Sequence, residues 1–146
     1  MTRLKTAVIA AVGCLTGSAA MILHAQERMR TGMWETTVTA SGQTATRSHC
    51  FKPADAAMSN GAPAAVRAEM ERALSKGAAC TLKEFKLEGN TMTHTTVCGS
   101  RTVLQETRFH GGDSFETTMT YTEGGVTKVS QIKGRRTGDC KAGEQQ

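Results

Sequence analysis

Cysteine, histidine and methionine are among the side chains in this sequence able to attack, ligate or exchange electrons, and their spacing sorts them. The chain holds five cysteines, four histidines and eight methionines. Cys14 and His24 fall within an N-terminal apolar run, whereas Cys50, Cys80, Cys98 and Cys140, with His49, His94 and His110, are spread over the rest. His49-Cys50 is an adjacent imidazole and thiol, but neighbours on a strand point to opposite faces, and a nucleophile needs its base within hydrogen-bond reach. No His-x-His or His-Glu-x-x-His spacing gathers the histidines around zinc, and Asp113 and Asp139 have no second acid at a spacing that forces convergence. Met29, Met33, Met58, Met92 and Met119 with a histidine would suit Cu(I), which prefers soft thioether ligands. No Met-x-x-Met run concentrates them, and scattered methionine is routine filler in apolar cores. No catalytic residue, metal ligand or cofactor site is therefore assigned. The expectation is a non-enzymatic protein, with a copper-binding protein as the alternative.

The cysteines carry a different message. Arg3 and Lys5 precede an apolar stretch from Thr6 to Leu23 with small residues after it, the shape of a secretory signal over residues 1–25 with the mature chain beginning at Gln26. Gly13, Thr16, Gly17 and Ser18 interrupt the stretch, so no stable transmembrane span is expected after its removal. A cut after Ala20 competes with the one after Ala25, and Ala11-Val12-Gly13-Cys14 offers a weaker lipoprotein reading that lacks the usual Leu. With Cys14 gone four cysteines remain, an even number, which in an exported domain reads as two disulfides formed in an oxidising compartment, here the periplasm.

Disulfides are also needed. Ile, Leu, Val and Phe supply about 15 of the roughly 121 residues after the leader, a share low enough to approach disordered chains. The remainder fits a single domain over residues 26–140, followed by a flexible tail over 141–146. The net charge is +5 over the whole chain, and acids alternate with bases along most of it. Lys133, Arg135 and Arg136 form the tight basic cluster, three charges that make a weak nucleic-acid footprint, so no nucleic-acid partner is expected.

The elements that must position these residues are mostly strands. Trp34 to Ala40 alternates Trp34, Thr36, Val38 and Ala40 against Glu35, Thr37 and Thr39, and Ser41-Gly42-Gln43 turns it into Thr44 to Phe51, a hairpin. Cys80 to Leu87, Thr91 to Cys98, Val103 to His110, Phe115 to Thr122 and Val126 to Lys133 follow with short Gly-containing turns, a five-strand antiparallel meander. Between hairpin and meander, Pro63 opens an amphipathic helix with Val66, Met70 and Leu74 on one face and Gly77 as its stop, while Pro53 to Ala62 reads as loop. The predicted fold is mainly β with some helix: a curved sheet of about seven strands with one amphipathic helix packed on it and two disulfides.

The turn at Gly89 bears on the pairing. A three-residue loop Glu88-Gly89-Asn90 sets Leu87 opposite Thr91 and Cys80 opposite Cys98, within disulfide reach, whereas a two-residue Gly-Asn loop shifts the register by one. Cys50 with Cys140 then follows by elimination.

Gly32-Met33-Trp34-Glu35, the cysteines after it, Gly112-Asp113-Ser114-Phe115 and the close Gly134-Arg135-Arg136-Thr137-Gly138-Asp139-Cys140 together resemble the bacterial exported family called domain of unknown function 3617. The resemblance spans nearly the whole mature chain and implies a small periplasmic protein with paired cysteines. It implies no activity.

Functionally, the inner face of such a sheet would carry Trp34, Val38, Phe109, Phe115, Met119 and Tyr121, an apolar binding face for a small apolar molecule or an envelope protein partner. Trp34 reads as a core anchor more than a platform. A purely structural or interaction module differs from the binding module only in lacking a cavity. Whether the Val66, Met70 and Leu74 stripe fills the apolar face discriminates the two.

Overall fold

The computed structural model describes residues 27–77, 79–141 and 143. The expected leader over 1–25, with Cys14 and the cleavage point before Gln26, lies outside the described residues, as do 142 and 144–146 of the expected tail.

Seven strands form one open antiparallel sheet: β1 (Gly32–Ala40), β2 (Gln43–Phe51), β3 (Cys80–Glu88), β4 (Thr91–Cys98), β5 (Arg101–His110), β6 (Ser114–Glu123) and β7 (Val126–Gly138). Two helices, α1 (Pro53–Ala57) and α2 (Pro63–Ser75), lie between β2 and β3 in the chain. The spatial order β2-β1-β7-β6-β5-β4-β3 seats the hairpin beside the end of the meander through the β1–β7 ladder. The mainly β fold, its hairpin-then-meander order and both expected disulfides are present: Cys50–Cys140 with Cα atoms 5.4 Å apart and Cys80–Cys98 with 4.2 Å.

Three local readings differ. The turn after β3 is a two-residue Gly89-Asn90 loop, because Glu88 faces Thr91 and Leu87 faces Met92. Gly89 takes φ +54° at the first loop position, where a type II′ turn calls for glycine. Taken alone this register would separate Cys80 from Cys98, but a bulge between Leu82 and Glu84 adds one residue to β3 and restores the facing pair. Second, Pro53–Ala57 is a short helix and not loop: Pro53 sits in its first turn and the Asp55 carboxylate accepts the Lys52 N–H at 2.9 Å, a start signal of proline followed by a reciprocating acid. Third, the last strand runs to Gly138, five residues past Lys133, since β1 on one side and β6 on the other both pair with it through Arg135.

Opposed residues of antiparallel strands share a face, so the register sorts the sheet cleanly. On one face the hydroxyls of Thr37 and Thr46 meet at 3.0 Å and those of Thr39 and Thr44 at 3.1 Å, exposed ladders on a wet surface. The other face carries Trp34, Leu87, Met92, Phe109 and Phe115, over which α2 lays Val66, fully buried, and Met70. Solvent sees the opposite side of α2, where Arg67 pairs with Glu71 at 2.9 Å and Arg72 with Glu69. Gly134 faces Phe115 across the β6–β7 ladder, and a Cβ there would come within 2.1 Å of the Phe115 ring. The missing side chain is what lets that ring lie flat over β7.

Candidate functional site

The apolar face is only partly filled. Between the helices and the near end of the sheet lies a cavity of about 290 Å³, a cleft open to solvent on one side. Its walls are built from four segments. Met29 comes from the strand-like stretch before β1, Phe51 from the end of β2, Asp55, Met58 and Ser59 from α1 and its exit, and Met70 from α2. The sheet supplies the rest as a floor: Met92 and His94 from β4, Gln105, Thr107 and Phe109 from β5, Phe115 and Thr117 from β6.

The segment before β1 is clamped to the α1 exit by side chains that sequence reasoning did not single out. Asn60 Oδ1 accepts the backbone N–H groups of Arg28 and Met29 at 2.7 and 3.0 Å, and its Nδ2 donates to the Met29 carbonyl at 2.7 Å. Arg28, only 8% exposed, donates to the carbonyls of Gly89, Ser59 and Gly61, which holds the β3–β4 turn to the same loop. Burial lowers its pKa. Arg30 adds an ion pair to Asp113, and its N–H donates to the Gly112 carbonyl at 3.0 Å. Trp34, 0% exposed, stands behind the cavity wall: its ring lies 5.6 Å from both Phe51 and Phe115, and its Nε1 donates to the Arg30 carbonyl at 2.9 Å.

The polar groups of the lining are largely paired with one another. Thr107 and Thr117 hydroxyls meet at 2.8 Å, Gln105 Nε2 donates to Thr107 Oγ1 at 3.3 Å, and Ser59 Oγ contacts the Met29 sulfur at 3.5 Å. His94 is the exception. It is 6% exposed, and its Nδ1 has no hydrogen-bond partner among the described residues. Loss of solvent pushes its pKa below the ordinary imidazole value, which favours the neutral ring. Facing residues Phe85 and Gln105 on the flanking strands place this ring on the inner side of the sheet.

The six residues expected to form one apolar face do share one face, but they are not brought together. Trp34 and Phe109 are buried under the helices and Phe115 packs beside them. Val38, Met119 and Tyr121 lie toward the other end of the sheet, where Val38 is 36% exposed. That end holds hollows of about 370 Å³, beside Val38, Ala45 and Arg47, and about 420 Å³, beside Tyr121 and Ser130. A third hollow of about 280 Å³ flanks Cys50–Cys140, whose sulfurs are tied to each other.

Of the expected thioether set, Met29, Met58 and Met92 line the cavity and Met70 joins them, while Met33 and Met119 do not. His49 is exposed on β2 with its ring 4.6 Å from Phe51, and His110 is exposed at the end of β5. Among the described residues no three or more His, Cys, Asp or Glu gather as a metal cage. The basic cluster is ion-paired throughout, Lys133 with Glu116, Arg135 with Glu35 and Arg136 with Asp139. Glu116 is held below the usual carboxyl range by the hydrogen bond and charge of Lys133, as Glu123 is by Arg101. Among the described residues no helix is long and apolar enough to cross a membrane. Thr107 and Thr117 carried a legible signal: the Gly111-Gly112 turn sets their register, and two facing threonines in the middle of a buried strand pair ask for each other's hydroxyl.

A family model described as protein of unknown function, DUF3617, matches residues 29–140. No curated protein and no solved structure matches the chain.

Proposed function

This chain belongs to the family described as protein of unknown function DUF3617, and from that premise we propose that it is a non-enzymatic binding module that holds a small apolar molecule in the cavity beneath α1 and α2. The observation that carries the reading is the lining itself: four methionines and three phenylalanines around about 290 Å³, with a few polar groups among them. That mixture is the signature of ligand pockets, and methionine lends such walls the ability to repack around different shapes. Two disulfides and the leader-like segment over 1–25 support an oxidising location outside the cytosol, the periplasm after leader removal.

The experiment is a native mass spectrum of protein purified from periplasm, followed by titration of the delipidated protein with the fluorophore N-phenyl-1-naphthylamine. An apolar adduct, or one fluorophore bound per chain and lost in Met92→Trp, is the expected result. A bare mass together with no fluorophore binding overturns the reading.

A second reading, a Cu(I) site, is favoured by one observation: Met29, Met58, Met70 and Met92 line the same cavity as the His94 ring. Thioethers and imidazole are ligands Cu(I) accepts. Withdrawal of one Cu(I) per chain from bicinchoninate by wild type and not by His94→Ala supports it. No withdrawal by wild type eliminates it.

A further inference from the structure

We propose that the cleft takes the hydrocarbon part of an amphiphile, roughly twelve carbons of it, and leaves the polar head in water at the open side, an inference that rests on the apolar-ligand reading above.

Size sets the hydrocarbon part. A cavity of about 150 Å³ accommodates the six carbons of benzene, so about 290 Å³ holds roughly twice as many. The floor crosses β4, β5 and β6, two strand spacings or about 10 Å, and runs along β5 from Gln105 to Phe109, about 13 Å. That volume over that footprint is a shallow layer, which a chain or a flat ring system lying on the sheet would fill. The methionine walls can repack over either.

Polarity sets what stays outside. Thr107 and Thr117, both buried, commit their hydroxyls to each other at 2.8 Å, Gln105 Nε2 donates to Thr107, and Asp55 Oδ2 accepts the Lys52 N–H. His94 Nδ1 has no partner, but solvent that enters the cleft does not reach it, and neither would a head group. Burial favours the neutral imidazole, so the ring brings no positive charge. Among the described residues no Lys or Arg lines the cleft. A carboxylate or phosphate carried inside would give up its water without gaining a cation, and an ammonium would find only Asp55, already engaged in the first turn of α1. At the open side a head of any charge keeps its hydration while the hydrocarbon lies against the Met and Phe walls, so apolar area alone sets the affinity.

The test is displacement of N-phenyl-1-naphthylamine from the delipidated, disulfide-intact protein by hexyl, octyl, decyl, dodecyl and tetradecyl compounds bearing a hydroxyl, a carboxylate or a trimethylammonium head, each below its micelle concentration. Affinity should rise about fourfold per methylene, the gain from burying one CH₂. The rise should stop between decyl and tetradecyl, where the cleft is full. At equal length the heads should agree within about fivefold, the most an exposed charge pair contributes. The Thr107→Val/Thr117→Val pair keeps the shape and deletes both hydroxyls, and should bind the series as wild type does. A flat series, a rise that continues undiminished through tetradecyl, a wider spread among the heads, or about tenfold weaker binding by the folded threonine pair, the loss of about one hydrogen bond, each overturns the inference. All of those outcomes leave the apolar-ligand reading standing, whereas absence of fluorophore binding to wild type removes both. Should the threonine pair fail to fold, the chain and head series on wild type decides.

Discussion

Trp34 and Val38 sit on the same strand and the same face, four residues apart, yet one is wholly buried and the other is 36% exposed. The two ends of the inner face obey the same alternation and are paved with similar side chains. What separates them is not in the strands. At the near end α1, α2 and the 28–31 segment close over the sheet and Cys50–Cys140 binds β2 to the residue just past β7. At the far end the strands finish in turns, and Cys80–Cys98 staples only the β3–β4 hairpin. A period-two pattern says which side of a sheet is apolar; the cover laid over that side decides how much of it is buried.

Removing each staple is the sharpest way to separate the ends. The Cys50→Ser/Cys140→Ser pair opens a loop with a sequence separation of 90 and Cys80→Ser/Cys98→Ser one of 18. Chain entropy then puts the losses at about 4.5 and about 3 kcal/mol. Urea unfolding of the two double variants measures both, and an equal or reversed order would mean that the near end does not depend on its long-range link. Trp34→Ala should cost about 4 kcal/mol and Val38→Ala about 0.5 kcal/mol. A Val38 loss comparable to that of Trp34 in the same assay would break the comparison, since it would require something covering the far end. Gly134→Ala drives a Cβ into the Phe115 ring and should cost about 2 kcal/mol. It should also weaken fluorophore binding, because Phe115 lines the cavity. A variant as stable as wild type would show that the ring has somewhere else to go.

The smallest effect is in pH. His94 has a folded pKa below its ordinary 6.5, so the unfolded chain takes up a proton that the folded chain refuses. Stability is therefore complete above about 6.5 and declines as pH falls below it, by at most about 1.4 kcal/mol per pH unit. Melting temperatures between pH 7.5 and 5 should show the decline in wild type and not in His94→Gln. Glu116 and Glu123 are also held low, from an ordinary 4.5, by partners on the exposed surface. Their contribution is lost in a separate window, at more acid pH. A decline between 7.5 and 5 that persists in His94→Gln would place its source outside the cavity.

Much of the fold was readable from the residues, because strand alternation and glycine turns are local signals: Thr91–Cys98 was bounded to the residue, and both cysteine pairs were found. The Cys80–Cys98 pair was reached by a register that the turn does not follow, since Gly89 at the first loop position takes a two-residue turn and the bulge after Leu82 makes up the difference. Nothing in Leu82-Lys83-Glu84 marks a bulge; it is imposed by the cysteines and by the need to keep Leu82 and Phe85 both inward. The cavity was less legible. Met29, Met58, Met92 and His94 are each chemically capable by residue type, but what gathers them is the Asn60 clamp and the buried Arg28, polar residues whose partners are backbone groups some thirty to sixty positions away. Backbone N–H and carbonyl groups have no side-chain identity, so no pattern in the sequence announces such bonds.

The pairing of β1 with β7 sets a clock as well as a shape. The first strand of the domain and the last are neighbours, with Met33 facing Gly138, so the ladder that joins hairpin to meander is made of contacts between the two ends of the chain. Contacts of such long range are paid for in loop closure before they return anything, and they slow folding. A chain that emerges amino-terminus first, from a ribosome or through a membrane pore, must hold its β1–β2 hairpin without a place in the sheet until β7 has appeared. Until then the α1–α2 cover has only part of a floor to close upon, and the Cys50 thiol waits for a partner 90 residues behind it.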